Sequence, residues 1–288
     1  MKLALGTVQF GIPYGIANTA GQVPEDEAAK IIAAARDAGI DTLDTAAAYG
    51  ESEQILGQIG VAGWRIATKL PTLPSECEDP RTWVCDVVGQ SLANLGVASV
   101  DAVLLHRAQD LLRPSGAALW AGLQEAKNAG LCARIGISIY RPDLLDALPT
   151  EIRPDLVQAP FNVFDRELET SGWADRLAGE GTAIHLRSVF LQGLLLMPKA
   201  ARTARFRGTF PALDAWDAFL ATTGQDALST ALGFAFDKSW AERVIVGVDS
   251  AAQLVGILEA MGRPHAIPPN SLVSDAPDLI DPSRWGAL

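Results

Sequence analysis

The chain has 288 residues, 49 % of them hydrophobic, which is enough to bury a large core. Its formal net charge of −11 and pI near 4.7 exclude nucleic acid as a partner, because a phosphate backbone demands a basic face. No signal peptide or membrane-length apolar run is evident. The three cysteines, Cys77, Cys85 and Cys132, fit no zinc or CxxC spacing and read as reduced thiols of a cytoplasmic protein.

Short apolar runs alternate with longer amphipathic segments. The first strand is predicted at Leu3–Gly6. A helix follows over Glu25–Ala38, where Ala28, Ile31, Ile32 and Ala35 recur at helical spacing and Gly39 supplies the stop. Further strands are predicted at Thr42–Asp44, Ile66–Lys69, Val100–Leu105, Arg134–Ser138, Leu156–Gln158, Ala183–Arg187 and Val244–Val246. Helical patterns lie near Glu53–Ile59, Thr82–Leu95, Gly116–Ala129, Pro142–Ala147, Trp173–Ala178, Asp226–Phe236 and Ala251–Ala260. Eight strand–helix repeats predict an α/β fold, a (β/α)8 TIM barrel, as a single domain over residues 1–288. The rival is a doubly wound open sheet, which wants a glycine-rich phosphate turn after an early strand. The stretch Gly6-Thr-Val-Gln-Phe-Gly11 lacks the GxGxxG spacing.

Two segments break the rhythm. Val189–Leu213 is expected as a long loop after the seventh strand, and long loops on the carboxyl face of a barrel are commonly functional lids. Residues 262–288 carry four prolines before Asp278 and are expected as an extended wrap or lid over the barrel, without a further helix.

In a barrel of parallel strands, all strand ends on one face open on the same mouth. Asp44 ends the second predicted strand, Tyr49 lies in the loop after it, Lys69 ends the third, and His106 ends the Leu-Leu-His of the fourth. Singly, each has an ordinary reading: a capping aspartate, a surface lysine, a core histidine satisfied by backbone. Jointly they bring a carboxylate, a phenol, an ammonium and an imidazole to one place. A phenol with its usual pKa of about 10 is a reluctant donor at neutral pH. A nearby ammonium stabilises phenolate and is expected to lower that value. Asp44 would hold Lys69 through an ion pair and His106 would orient a substrate oxygen. The set would act as a general acid with an electrostatic cradle for a developing alkoxide.

The segment Asp-Thr-Ala-x-x-Tyr-Gly, the Thr-Lys of the third strand and the His of the fourth resemble the catalytic tetrad of the aldo-keto reductase family in order and strand position. The chain is similar to that family also at Gly6-Thr7, at Gly136 and Ser138, at Gln158 and Asn162, at Arg187-Ser188 with Gly193, and at Gly247 followed by Gln253-Leu254. The resemblance covers nearly the whole chain. It implies NAD(P)H-dependent reduction of an aldehyde, ketone or sugar carbonyl, or the reverse. Tyr49 would be the acid, Lys69 and Asp44 its tuners, and His106 the orienter. It implies NADPH as the favoured cofactor, with NADH possible, held extended across the barrel mouth by Gly6, Thr7, Asp44, Ser138, Gln158, Arg187, Ser188, Leu191, Gly193, Gly247, Ser250 and Gln253. Ser138 and Gln158 match positions that hold the nicotinamide carboxamide, although Ile139 stands where the family commonly has Asn. Arg187 stands where an aromatic ring often stacks on the nicotinamide, and a planar guanidinium can stack as well. Asp249 lies where NADPH-preferring members often carry a basic residue. Ser250, Gln253 and the loop arginines Arg202, Arg205 and Arg207 are the candidates to receive a 2′-phosphate. The alternative for the three arginines is a solvated loop face.

Phe10, Ile12, Tyr14, Tyr140 and Phe161 are candidates for an apolar substrate wall above Tyr49 and His106, with ordinary packing as the alternative. Arg107 would recognise a carboxylate, phosphate or sugar hydroxyl, or form a surface salt bridge. Trp285 would fold back as a lid or pin the tail. With His185 in a strand and His265 in the tail, no histidine-rich metal site is expected. The expected partner is a small carbonyl or alcohol substrate, and a monomer is the default. Two other classes stay open: a cofactor-binding regulatory subunit with little turnover, and a lyase using Lys69 as a Schiff-base amine.

Overall fold

A computed structural model of the chain describes residues 1–285. Eight parallel strands close into a barrel in chain order: β1 (Leu3–Gly6), β2 (Thr42–Asp44), β3 (Arg65–Leu70), β4 (Val100–Leu105), β5 (Cys132–Ser138), β6 (Leu156–Pro160), β7 (Ala183–Arg187) and β8 (Arg243–Gly247). Pairing from Leu3↔Val244 to Gly6↔Gly247 seals the first strand to the last. The predicted barrel is therefore the observed one. Strand ends differ by at most two residues from expectation, where edge pairing extends a run beyond its apolar centre.

Strand side chains alternate between two faces, so one set of alternate residues points outward to the helices and the other into the barrel. Leu3, Leu5, Leu43, Ile66, Leu70, Val103, Leu105, Ile135 and Ile137 belong to the large apolar layer shared with the helices. The inward set is smaller and more polar. Its centre is a separate cluster of Ala67, Ala102, Leu104 and Leu156. Below it, partly buried charges close the floor: Arg65 meets Asp101 at 3.2 Å, and Glu242 takes Arg134 at 3.1 Å and His185 at 3.4 Å. Above it, at the carboxyl ends, the same alternation delivers Asp44, Lys69, Ser138, Gln158 and Arg187 to the mouth.

Around the barrel lie helices α1 (Val8–Gly11), α2 (Glu25–Asp37), α3 (Ser52–Ile59), α4 (Pro80–Leu95), α5 (Gly116–Asn128), α6 (Asp143–Ala147), α7 (Glu167–Thr170), α8 (Trp173–Gly179), α9 (Pro211–Thr223), α10 (Ala227–Phe236), α11 (Ala251–Ala260) and α12 (Pro277–Ile280). Asp79 caps α4 by accepting from the N–H groups of Arg81 and Thr82, Pro80 opens the helix, and Gly96 ends it in the left-handed region. None of the described helices is long and apolar enough to cross a membrane.

Two expectations change. The segment after β7 is irregular only to Phe210, where Pro211 opens the thirteen-residue helix α9, which the sequence reading did not contain. Proline at the first helical position and Gly224 as the stop were the available signals. Trp216, fully buried, ties α9 to the loop by donating from Nε1 to the Leu195 carbonyl at 3.0 Å. The tail is not purely extended, because α12 and two 3₁₀ turns at Asn270–Leu272 and Pro282–Arg284 interrupt it. Of the expected wrap over 262–288, residues 286–288 lie outside the described region.

Candidate active site

Lys69 sits inside the barrel at 1 % side-chain exposure, so its ammonium must be compensated. It donates to Asp44 Oδ2 at 2.7 Å and to the Thr45 carbonyl at 2.9 Å. The second carboxylate oxygen, Asp44 Oδ1, accepts from Gln158 Nε2 at 2.6 Å. The Lys69 ammonium also lies 5.1 Å from the centroid of the Tyr49 ring, a cation–π contact in a water-poor setting. The His106 ring stands edge-on to Tyr49, with centroids 5.6 Å apart and planes at 83°. The four residues named from sequence thus form one chain of contacts, Asp44 to Lys69 to Tyr49 to His106.

The Tyr49 turn is fixed from the β1 side. Gly11 packs so closely that a Cβ there would fall 1.7 Å from the Tyr49 carbonyl oxygen, so glycine is required. Ser52 donates its backbone N–H to that same carbonyl at 3.1 Å and its hydroxyl to the Thr7 carbonyl at 2.9 Å. Thr7, expected at the cofactor, is fully buried and donates its hydroxyl to the Asp44 carbonyl at 3.1 Å, so it acts as a brace.

Electrostatics correct one expectation. Tyr49 was expected to be lowered by Lys69, but its phenol is pushed up. Burial is the main cause, the Asp44 charge adds to it, and Arg187 works the other way. The physical reason is that burial disfavours phenolate and the Asp44 carboxylate, paired with Lys69, offsets part of the ammonium's field, so desolvation dominates. Lys69 is itself pushed down by burial, against the pull of Asp44. His106 is lowered from 6.5 to about 4, first by burial and then by the Lys69 and Arg187 charges. Its imidazole is therefore neutral at pH 7. The unfolded chain binds this proton below pH 6.5 and the folded chain only near pH 4, so stability must fall as pH drops through that window. The expected loss is about 3 kcal/mol. Urea midpoints of wild type and His106→Gln at pH 7, 5.5 and 4.5 check it, with the variant losing less stability as the pH falls.

A nicotinamide dinucleotide has a place to go. The Gln158 Oε1 atom is buried at the mouth without a hydrogen-bond partner, as are Gln9 Oε1 and Gln192 Oε1. These are acceptors suited to the amide and hydroxyl donors of such a cofactor. Ser138, paired in register with Gln158, lies beside them. Gly6 lies opposite Gly247, and the amide end of the Gln9 side chain lies against Gly247. Ser188, Leu191, Gln192 and Gly193 all have positive φ, 59°, 49°, 54° and 87°. Such a run in non-glycine residues stores strain and is typical of functional loops. Gln9 and Gln192 were missed from sequence, because nothing in their spacing marks an unpaired amide.

Several predicted contacts are otherwise engaged. Leu191 and Gly193 donate their N–H groups within the loop, to the Ser188 and Phe190 carbonyls. The Ser188 hydroxyl accepts from Arg187. Ser250 caps α11 by accepting from the Gln253 N–H, while Gln253 Oε1 accepts from the Asp249 N–H at 2.8 Å. Ala251 N–H goes to a carboxylate of α2, Glu27 Oε1, at 2.8 Å. Of the loop arginines only Arg202 is buried; Arg205 and Arg207 stay exposed, as a solvated loop face would have them, and bind backbone carbonyls. Arg202 is buried in a two-pronged pair with Asp217 at 2.6 and 2.8 Å, Arg205 binds the Arg284 and Trp285 carbonyls, and Arg207 binds those of Ala200 and Arg202.

The substrate wall is smaller than expected. Phe10 and Phe161 are fully buried in the core and have no surface to offer. Phe10 lies in α1, whose turn points it inward, and Phe161 stacks on Phe234 at 5.3 Å. Trp285 packs on Phe206 at 4.8 Å and donates to the Asp278 carbonyl, so it pins the tail to the loop. Tyr14 stays at the mouth, its hydroxyl accepting from Gln192 Nε2 at 3.2 Å. Burial is the main cause raising its phenol, with the nearby Tyr49 adding to it. Tyr140 lies under Arg187, and Arg107 is exposed.

The model of the Aldo/keto reductase family matches residues 2–266. The chain belongs to the aldo/keto reductase family. It is 33 % identical over 145 residues to 6-dehydroglucose reductase of Novosphingobium aromaticivorans, covering 44 % of this chain and 46 % of that one. It is 29 % identical over 181 residues to aldo-keto reductase YhdN of Bacillus subtilis, covering 59 % and 53 %. The chain spans about half the length of the curated relatives it matches. Among solved structures, the holo form of aldo-keto reductase AKR11C1 from Bacillus halodurans superposes with a TM-score of 0.76 at 20 % identity, over 98 % of this chain and 95 % of that one. Glycerol dehydrogenase AKR11B4 from Gluconobacter oxydans gives 0.71 at 22 %, over 91 % and 86 %. At that identity they establish the shared fold.

Proposed function

We propose that this family member is a nicotinamide-dependent reductase of small aldehydes, ketones or sugars, able to run in reverse as an alcohol dehydrogenase. The observation that carries the reading is the contact set of Asp44, Tyr49, Lys69 and His106 at one mouth. When bound, the dinucleotide supplies the hydride. Gln158 and Ser138 would hold its carboxamide. Tyr49 gives its proton to the carbonyl oxygen, and His106, neutral at pH 7, donates a hydrogen bond that sets the angle of that oxygen. Lys69 offsets the negative charge that develops there, and Asp44 keeps Lys69 in place. A Schiff-base lyase would need Lys69 as a free amine, whereas it is ion-paired.

The adenosine end supports NADH rather than the NADPH favoured from sequence. Phosphate sites of barrels commonly lie in the loops after strands seven and eight. Here that region holds the Glu27 and Asp249 carboxylates, Arg202 is paired with Asp217, and Arg205 and Arg207 reach back to carbonyls of the tail and of their own loop. A 2′-phosphate would meet the like charge of Asp249, and the nearby Lys30 is already shared between Asp26 and Glu27. Tryptophan fluorescence titration is expected to give about tenfold or more tighter binding of NADH than of NADPH. An aldehyde panel should then show NADH oxidation. Tight binding without turnover of any carbonyl would favour a regulatory subunit, and borohydride trapping of substrate on Lys69 would favour the lyase.

A further inference from the structure

Arg187 ends β7 on the inward face and reaches across the mouth. Its guanidinium donates from Nη2 to the Ile139 carbonyl at 2.9 Å and from Nη1 to Ser188 Oγ at 3.2 Å, and it lies 4.5 Å from the centroid of the Tyr140 ring. These contacts hold the group still. They use two of its five N–H donors and none of its charge.

No ion pair among the described residues neutralises Arg187. Three mouth-side or loop cations contrast with it: Lys69 has Asp44, Arg141 has Glu167 at 2.8 Å, and Arg202 has Asp217. The charge of Arg187 is felt by Tyr14, Tyr49, Lys69 and His106, so it stands among the groups that would handle the carbonyl. Of the carboxylates within its field, Asp44 is closed off by Lys69 and Gln158. Asp165 is buried, and burial pushes its carboxyl up to about 7, so it supplies only part of a charge. A second arginine, Arg107, directly follows His106 on the opposite side of the mouth; it is exposed and likewise forms no ion pair among the described residues. In a chain of net charge −11, Arg187 thus supplies positive charge among the reacting groups, and Arg107 adds an exposed cation next to His106 in the chain.

We propose that Arg187 is a specificity-determining residue that binds a carboxylate carried by the carbonyl substrate, so that the preferred substrates are aldehydes or ketones bearing a carboxylate, with Arg107 drawing them to the mouth. The planar guanidinium is suited to such a group and is already positioned for it, so little entropy is lost on binding. This rests on the carbonyl-reductase reading.

The test compares matched pairs on the whole protein with its dinucleotide: succinic semialdehyde against butanal, and 4-carboxybenzaldehyde against benzaldehyde. Binding of the unreactive pair butanoate and butanamide is followed by fluorescence. A charge-assisted contact of this kind predicts that wild type prefers the charged member by about 10- to 100-fold in kcat/KM, mainly through KM. The preference should shrink with added salt, and Arg187→Met should bring the ratio near one, with Arg187→Lys between. Butanoate should bind more tightly than butanamide in wild type and not in Arg187→Met. Equal handling of charged and neutral aldehydes by wild type overturns the proposal and leaves the reductase reading intact. So does an Arg187→Met variant that binds the dinucleotide more weakly while keeping the acid preference, for then the anion is the cofactor's pyrophosphate. Selective butanoate binding with no turnover of any carbonyl supports the anion site and sinks the reductase reading instead.

Discussion

Tyr49→Phe is expected to lower kcat for carbonyl reduction by about 10²- to 10⁴-fold, the usual range for loss of a positioned general acid. Dinucleotide affinity should be little changed, because only a hydroxyl is removed. Burial and the Asp44 charge raise the phenol, so Tyr49 stays protonated through neutral pH and every molecule is ready to donate. A raised value does not make the transfer uphill, because an alkoxide is a stronger base than a phenolate. The Lys69 ammonium, 5.1 Å from the ring centroid, then stabilises the charge left on Tyr49. Single-turnover kinetics at saturating dinucleotide, with fluorescence titration in parallel, separate chemistry from binding. Retention of wild-type turnover in the variant would assign the proton to another donor.

Lys69→Met should damage both stability and activity. It leaves the Asp44 carboxylate buried, with Gln158 as its only remaining side-chain donor. Breaking a buried pair from one side costs about 3–5 kcal/mol, because the remaining charge is uncompensated. Asp44→Asn combined with Lys69→Met removes that orphan charge, so the double variant should recover much of the stability while remaining inactive. Urea denaturation of the two single variants and the double variant measures the coupling directly. Recovery of activity along with stability would mean that the ion pair serves folding alone.

The tetrad was legible because its residues sit at strand ends. Once eight β–α repeats are recognised, chain order alone places Asp44, Lys69 and His106 on one face, and strand alternation turns them inward. Helix α9 was missed because its neighbour, the loop around Arg202 and Phe206, is irregular and lends its character to the whole stretch. Phe10 was misplaced for a different reason: a four-residue turn after β1 reverses the direction of its side chain, and so short a turn has no periodicity to read.

Composition and pattern by themselves determined the barrel, its strand order, and the identity of the four residues at its mouth. These depend on local periodicity and on which end of a strand a residue occupies, both of which are written along the chain. Only the tertiary structure decided which charges cancel and which do not. Of the loop arginines, Arg202 is buried against Asp217 while Arg205 and Arg207 remain on an exposed face, and the α11 N-terminus already holds Glu27. Lys69 does not bring Tyr49 below its usual value, because burial and the Asp44 charge outweigh the ammonium. Arg187 donates to a carbonyl and a hydroxyl and forms no ion pair among the described residues. Each of these outcomes depends on distances of a few ångströms between residues far apart in the chain, over which Coulomb energies and desolvation change most steeply.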